Sequence, residues 1–299
     1  MSKKWSTDNF VVAPQNWDAG QETFSATNAL GTGPFKITLR EPNTKTVFKK
    51  NGKWWGNVEH NITEIQLLPI KNAATRVAAL LSGEIDLVTD APVQDLNRIS
   101  SSGGHKVEST PQMRTIFLGM DQKADKLRTG NTGDNPFKKK EVRQALYQAI
   151  DIEAIKKKVM RGLSEPAGII TFPGVTGYTK ALDKRLPYDV DAAKKLLADA
   201  GYPNGFDVEL RCPNDRYVND EAICTAVVGM LGKIGVNVNL FAQTKSKHFK
   251  ELKDNQGDFY MLGWGVPTLD SHYVFHLSLI HISEPTRLGM ISYAVFCLK

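Results

Sequence analysis

The second half of the chain carries the clearest periodic pattern of apolar positions. Apolar residues recur there with the i, i+3, i+4, i+7, i+8 spacing of an amphipathic helix. The residues in this pattern are Val142, Ala145, Leu146, Ala149 and Ile150. Two further helices are predicted after it, with Asp151 and Asp189 as N-caps and Gly162 and Gly201 as their stops.

A strand–helix–strand unit follows these helices. Residues 206–211 alternate as a strand, residues 220–234 carry one apolar stripe of a helix that Gly235 ends, and residues 236–240 alternate again. A β–α–β order requires parallel strands joined by a right-handed crossover. A short basic helix at residues 245–253 and a strand at residues 258–264 complete an α/β pattern.

The first half of the chain is less regular. The Asn51-Gly52 pair predicts a hairpin turn between two short strands within residues 47–54. Further strands are predicted at residues 64–70, 85–88 and 115–120. Asn72 is placed to cap a helix that Gly83 stops.

Composition limits the classes of protein that fit this pattern. The 299 residues suffice for one large domain or two ordinary ones, and 41% hydrophobic and 23% charged residues are usual for a globular chain. The net charge of +6 is mild. The lysine runs at residues 138–140 and 156–158 lie on or beside predicted helices, which favours solvated helix faces over a nucleic-acid patch. We therefore expect no nucleic-acid partner.

Membrane and cysteine signals are also weak. No apolar run reaches the roughly 18–20 residues that a membrane span needs, and the first residues lack the apolar region of a signal peptide. The three cysteines form no CxxC pair, which argues against a zinc or thioredoxin-like site. One disulfide, between Cys212 and Cys224, remains possible.

No catalytic signature is present in the sequence. HExxH, GxSxG, Walker and Rossmann motifs are absent, and the GTGPFK stretch at residues 31–36 favours a turn into a sheet over a phosphate loop. Asp270 and His272 are two metal-ligand types without a third, so we expect neither a metal nor a cofactor. An enzyme is not expected, although a catalytic set assembled from distant residues on such a scaffold stays open as the alternative.

Candidate binding residues follow the predicted strands of the second half. In open α/β sheets, ligands bind beyond the carboxyl ends of strands. Here those ends offer Arg216 and Tyr217 after one strand, and Trp264 and Asp270 after another. An arginine, two aromatic residues and a helix N-terminus suit an organic ligand with a carboxylate. The alternative is that Asp215 and Asp220 only cap the helix while Arg216 pairs with them at the surface.

Several stretches in a fixed order resemble one known family. They are GTGPFKI at residue 31, NGKWWG at 51, ATRVAALLSGEIDLV at 74, VRQALYQAIDIEAI at 142, YDVDAAKKLLADAGYPNGF at 188, LGKIGVNVNL at 231 and DFYMLGWG at 258. Each is modest alone. Together they resemble the extracytoplasmic solute-binding proteins of peptide-type ABC importers, the dipeptide, oligopeptide and nickel group, over roughly residues 1–275.

The resemblance implies a two-lobed, type II periplasmic-binding-protein fold with the ligand between lobes that close by hinge motion. It implies a partial first lobe at residues 1–112, a crossing strand at 113–121 and most of the second lobe at 122–276. Such proteins are extracytoplasmic, and we expect a monomer that delivers a small peptide-like solute to a membrane permease. In the family the GTGP turn lies well inside the chain, so we expect a fragment truncated at both ends that lacks its signal peptide.

The resemblance also assigns roles to the candidate residues. Arg216 falls where dipeptide-type members hold the ligand carboxylate, and Trp264 is placed to wall the cleft. Those members use an aspartate three residues after the tryptophan for the ligand amine, and Pro267 stands there in this chain. Asp270 is the next acid, so recognition of an ordinary peptide N-terminus is in doubt.

The last residues have a different origin in this interpretation. Residues 277–287 resemble the one-frame translation of a transposase-type sequencing adapter, and residues 291–299 resemble the translation of its flow-cell end. We therefore expect residues 277–299 to be a non-native tail, with a genuine C-terminus as the alternative.

Overall fold

The computed structural model describes residues 31–57, 59–110, 112–274 and the two residues 297–298. The chain divides into two compact units, Met1–Arg76 and Val77–Lys299. Within the described ranges, no helix is both long and apolar enough to cross a membrane.

The first unit contains a three-stranded antiparallel sheet. Its strands are β1 (Phe35–Glu41), β2 (Lys45–Lys50) and β3 (Glu64–Leu67), in that order across the sheet. The expected turn from GTGP into a sheet is confirmed, because β1 begins directly after Pro34.

The hairpin predicted at Asn51-Gly52 is wrong, since the hairpin is formed one element earlier, by β1 and β2. Asn51 continues the ladder between these strands instead: its backbone N–H donates to the Pro34 carbonyl at 2.7 Å, and its Nδ2 donates to the Gly33 carbonyl at 3.3 Å. An Asn-Gly pair makes a turn only where a second strand returns after it. Here the strand that returns to pair with β2 is β3, which begins only at Glu64, so residues 51–63 form a longer connection instead of a two-residue hairpin turn.

The helix α1 (Ala73–Leu81) confirms its predicted cap and stop. The Asn72 side chain accepts the N–H of Thr75 at 3.0 Å, and Gly83 adopts a φ of 76° that suits glycine after a helix. Residues 85–88 do not form the predicted strand. Ile85 and Val88 instead pack as irregular chain on a small apolar cluster of α1 and α2 (Leu96–Ser101).

A six-stranded mixed sheet organises the second unit, in the order β5–β9–β4–β8–β6–β7. The strands are β4 (Arg114–Met120), β5 (Pro166–Ala167), β6 (Asp207–Pro213), β7 (Asn237–Gln243), β8 (Phe259–Gly265) and β9 (Cys297–Leu298). Strand β6 pairs in parallel with both β7 and β8, while β4 runs antiparallel to β8. The start of β4 therefore lies at the same edge of the sheet as the carboxyl ends of β6 and β8.

Two helices of this unit begin at their predicted caps, whereas the helix predicted for residues 220–234 ends at Gly232. They are α3 (Lys140–Ala149), α4 (Ile152–Ala154) continued by a π-helical turn (Ile155–Val159), α5 (Val190–Asp199), α6 (Asp220–Gly232) and α7 (Lys245–Lys253). Asp151 and Asp189 cap α4 and α5 by accepting backbone N–H groups at 2.9 Å. Gly162 and Gly201 have positive φ, as stops require.

One core joins the sheet to α3 and α6, and it confirms the predicted β–α–β unit. Its fully buried members include Leu118, Leu146, Leu210, Leu231 and Phe259. Each such side chain contributes about 1.5–3 kcal/mol by leaving water. Cys212 of β6 and Cys224 of α6 form a disulfide within this core, with Cα atoms 6.6 Å apart.

The predicted lobe boundaries and the crossing role of β4 stay predictions. Most of the predicted non-native tail lies outside the described residues, which resume only for β9 (Cys297–Leu298), paired with β4 and β5.

Candidate functional site

The candidate site lies where β6 and β8 stop pairing. In their parallel ladder, Leu210 pairs with Phe259 and Arg211 pairs with Tyr260. Further along β8, side chains bind the backbone: His248 donates its Nε2–H to the Met261 carbonyl at 2.9 Å, and the N–H of Gly263 donates to the Tyr217 hydroxyl at 2.8 Å. The β6–α6 loop, residues 214–219, thus takes the place of a neighbouring strand beside Gly263.

Tyr217 fits there because residue 263 is glycine. A Cβ atom on Gly263 would lie 2.7 Å from Cε1 of Tyr217 and 2.6 Å from Cδ1 of Ile116, closer than carbon atoms pack. Burial raises the pKa of the Tyr217 hydroxyl by disfavouring the phenolate, although the charges of Arg216 and Arg114 act in the opposite direction. The hydroxyl therefore stays protonated at neutral pH.

Asp220, the first residue of α6, holds the same loop by accepting hydrogen bonds from backbone N–H groups. Its Oδ2 accepts the N–H groups of Arg216 and Tyr217, and its Oδ1 accepts that of Glu221, each at 3.0 Å. Only 4% of Asp220 is exposed. Burial raises the pKa of this carboxyl, and the three hydrogen bonds from the backbone oppose that shift.

The side chain of Arg216 is exposed and lies over Tyr217, with its Cζ 5.3 Å from the ring centroid. Its two acidic neighbours are bonded elsewhere, because Asp220 holds the loop backbone and Asp215 accepts the N–H of Lys245 at the start of α7. No carboxylate among the described residues forms a salt bridge with Arg216. The alternative interpretation is therefore not met: Asp215 bonds the start of α7 and not of α6, Asp220 holds the loop, and Arg216 forms no salt bridge with either acid.

Trp264 and Asp270 lie at the same strand end but apart from Tyr217. Trp264 pairs in register with Thr115, so it projects from the face of β8 opposite to that of Gly263. Its ring stacks on Tyr273 with centroids 5.9 Å apart, and its Nε1 is buried without a hydrogen-bond partner in the described part of the chain. Asp270 is exposed beyond the strand and accepts the N–H of His272 at 2.8 Å.

The sequence interpretation missed Arg114, the first residue of β4. In register it faces Gly265, and its Cζ lies 5.9 Å from the Tyr217 ring centroid. Burial and the nearby charge of Arg216 lower the pKa of its guanidinium, while Tyr217 and Asp90 act in the opposite direction. Arg114 is distant from the loop in sequence, and only the antiparallel pairing of β4 with β8 brings the two arginines together.

The candidate residues near Gly263 carry hydrogen-bond donors. Among the described residues, no group of three or more histidine, cysteine, aspartate or glutamate side chains is placed to hold a metal ion. A surface cavity of about 460 Å³ elsewhere in the second unit includes none of the four predicted residues. Two guanidinium groups and a phenol beside Gly263 are hydrogen-bond donors for carboxylates, whereas the buried indole N–H of Trp264 lies on the opposite face of β8.

Comparisons with known proteins identify the fold. In the solved structure of DppA, an ABC transporter-associated periplasmic binding protein from Helicobacter pylori in complex with peptide STSA, the matching part is 24% identical. The TM-score is 0.73, over 86% of this chain and 48% of that one. The fold is therefore that of the periplasmic binding proteins.

The sequence profile described as bacterial extracellular solute-binding proteins, family 5 middle, matches residues 7–281. The chain belongs to this family. Relatives include heme-binding protein A of Haemophilus influenzae, 26% identical over 82% of this chain and 43% of the relative. Another is the glutathione-binding protein GsiB of Salmonella typhimurium, 23% identical over 89% of this chain and 50% of the relative. The chain thus spans about half the length of the curated relatives it matches.

Proposed function

We propose that this chain supplies the solute-binding site of an ABC import system and that Arg216 binds a carboxylate of the solute. The observation that carries the proposal is the state of Arg216: its guanidinium is exposed at the carboxyl end of a parallel strand, while Asp215 and Asp220 are bonded to backbone groups. A guanidinium without an acidic partner is ready for a two-point contact with a carboxylate.

The other candidates have supporting roles in this proposal. The Tyr217 ring lies beneath the Arg216 guanidinium, and Trp264, which projects from the opposite face of β8, is proposed as an apolar wall of the cleft. Asp270, which forms no salt bridge among the described residues, is the partner for a ligand amine when the ligand has one. A peptide-like or other small organic acid meets these requirements. The names of the relatives, heme-binding, glutathione-binding and peptide-bound, support a small solute.

The proposal includes a membrane permease as the partner that receives the solute, and it places the working protein outside the cytoplasm as a monomer. The Cys212–Cys224 disulfide supports this location, because such bonds persist in oxidising compartments. The relatives are binding proteins, so binding without turnover is the proposed activity.

The test is binding of a library of short peptides and organic acids to this chain, first by thermal shift and then by titration calorimetry on the tightest ligand. Arg216→Ala should weaken binding by about 30-fold to several-thousand-fold, equivalent to roughly 2–5 kcal/mol, because the buried ligand carboxylate loses its partner. Arg216→Lys should recover only part of this, since an ammonium cannot make the planar two-point contact. Asp270→Asn should weaken binding only for ligands with an amine.

Arg98→Ala is the matched control, since Arg98 is a solvated arginine of α2 near Asp95 at 3.8 Å. It should leave affinity unchanged. Mass spectrometry of the ligand after incubation tests the enzymatic alternative, because a binding protein returns the ligand intact. Equal affinities for the wild type and Arg216→Ala would refute the role of Arg216, and conversion of the ligand would refute a pure binding function.

A further inference from the structure

Arg114 and Arg216 approach the same aromatic ring from different elements. Arg114 begins β4 and Arg216 lies in the β6–α6 loop, with their Cζ atoms 5.9 and 5.3 Å from the Tyr217 centroid. The two guanidinium groups are therefore separated by no more than the sum of these distances. The positive charge of Arg216 contributes to lowering the pKa of the Arg114 guanidinium.

Neither cation is neutralised within the described residues. No salt bridge joins Arg114 or Arg216 to a carboxylate there, whereas Arg128 and Arg211 of the same unit each contact two acids. Asp90 attracts Arg114 electrostatically, but no salt bridge is formed between them. Holding two like charges together without an anion costs free energy, and that cost is removed when an anionic ligand binds between them.

The surroundings of the pair keep it in place. Arg114 is half-buried on a strand that pairs with β8 along its whole length. Tyr217 is fixed by its hydrogen bond to Gly263 and by the Asp220 carboxylate under its backbone. The sheet and the anchored loop thus fix the backbones that carry the two arginines, which lowers the cost of ordering them when a ligand binds.

We propose that this site takes a solute with two acidic groups, one bound by Arg216 and the second by Arg114. This inference rests on the proposed solute-binding function and deepens it: it names a diacid as the substrate class and Arg114 as the residue that selects it. A solute with one carboxylate leaves one guanidinium without its partner and binds more weakly.

The test uses two matched pairs of probes that differ by one charge: the dipeptides Ala-Glu and Ala-Gln, and glutarate and glutaramate. Titration calorimetry on this chain should give about 10- to 100-fold tighter binding of the diacid in at least one pair, the gain expected from one charge-assisted hydrogen-bond pair. Arg114→Gln should remove this preference, because it lowers the affinity for the diacid much more than the affinity for the monoacid. Arg98→Gln should leave the preference intact.

A merely structural role for Arg114, packing against Tyr217, would lower both affinities together and would not touch the preference. Arg114→Lys serves as the second variant: it keeps the charge and should retain part of the preference, with thermal unfolding showing that each variant is folded. Equal affinities within both pairs, together with weaker binding in Arg216→Ala, would overturn the diacid inference and leave the proposed function standing. Binding of neither these probes nor the peptide and acid library would overturn both.

Discussion

Gly263 and Tyr217 are mutually dependent. The hydroxyl of Tyr217 accepts the Gly263 N–H, and the ring occupies the space that a side chain at position 263 would fill. Ile116 closes the other side of that space. The loop that carries Arg216 can therefore reach the sheet only while residue 263 has no Cβ.

Gly263→Ala should destabilise the fold by about 1–3 kcal/mol, the usual cost of forcing extra volume into a packed site. Urea unfolding followed by circular dichroism measures this. Gly229→Ala is the matched control, because a Cβ there meets nothing within 4 Å in the middle of α6 and should stabilise the helix by about 0.5–1 kcal/mol. A Gly263→Ala variant as stable as the wild type would mean that Tyr217 is not held as described.

For single residues, the sequence predicts those contacts that join neighbours within a few positions of the chain. Asp151, Asp189 and Asn72 cap their helices as expected, because a cap bonds an N–H group only two or three residues away. The place of Arg216 and Tyr217 after a strand follows from the alternating pattern before them. The place of Arg114 beside Tyr217 does not, because it is set by the pairing of β4 with β8.

Among the elements, β6 and α6 are tied by more than packing. The Cys212–Cys224 disulfide encloses the whole β6–α6 loop, including Arg216 and Tyr217, in a ring with a sequence separation of 12 residues. The bridge limits the conformations of the loop in the unfolded chain and restrains its ends in the folded one.

Reduction of this disulfide should lower the free energy of unfolding by about 2–4 kcal/mol. Thermal or urea unfolding with and without dithiothreitol measures the loss. The double variant Cys212→Ala/Cys224→Ala controls for other effects of the reductant and should show no response to it. A wild-type transition that does not shift on reduction would contradict the role given to the bridge.

The spacing of apolar residues predicted strands and helices well where the elements that pack together are neighbours in sequence. The β–α–β unit from β6 to β7 is of this kind. The hairpin at Asn51-Gly52 and the strand at residues 85–88 failed, because strand formation there depends on a partner that short-range patterns do not reveal. Asn51 joins the strand before it, and Ile85 and Val88 pack on helices.

Across the whole molecule, we expect the backbone amides to differ widely in their protection from hydrogen exchange. The second unit has a continuous core that joins β4, β6 and β8 to α3 and α6. In the first unit all four residues of β3 are exposed, and Ile65 and Leu67 are 40% and 55% exposed. The free energy needed to open a segment locally is larger where more apolar side chains are buried.

Hydrogen exchange followed by mass spectrometry should therefore find the slowest amides in β4, β6 and β8, with much faster exchange in β3. Peptides that cover α5, whose Leu197 is buried, serve as an internal reference of ordinary helical protection. Comparable protection in β3 and β8 would contradict this distribution of stability.

The hydroxyl that binds Gly263 also has an evolutionary consequence. Where two strands pair along their length, each backbone amide bonds another backbone group, and no point mutation can replace that partner. At Gly263 the partner is a side chain, so a change in one codon, that of Tyr217, removes a hydrogen bond at this end of the sheet. Under the proposed function, substitutions in the β6–α6 loop can thus change which solute binds while the strands beneath keep their sequence.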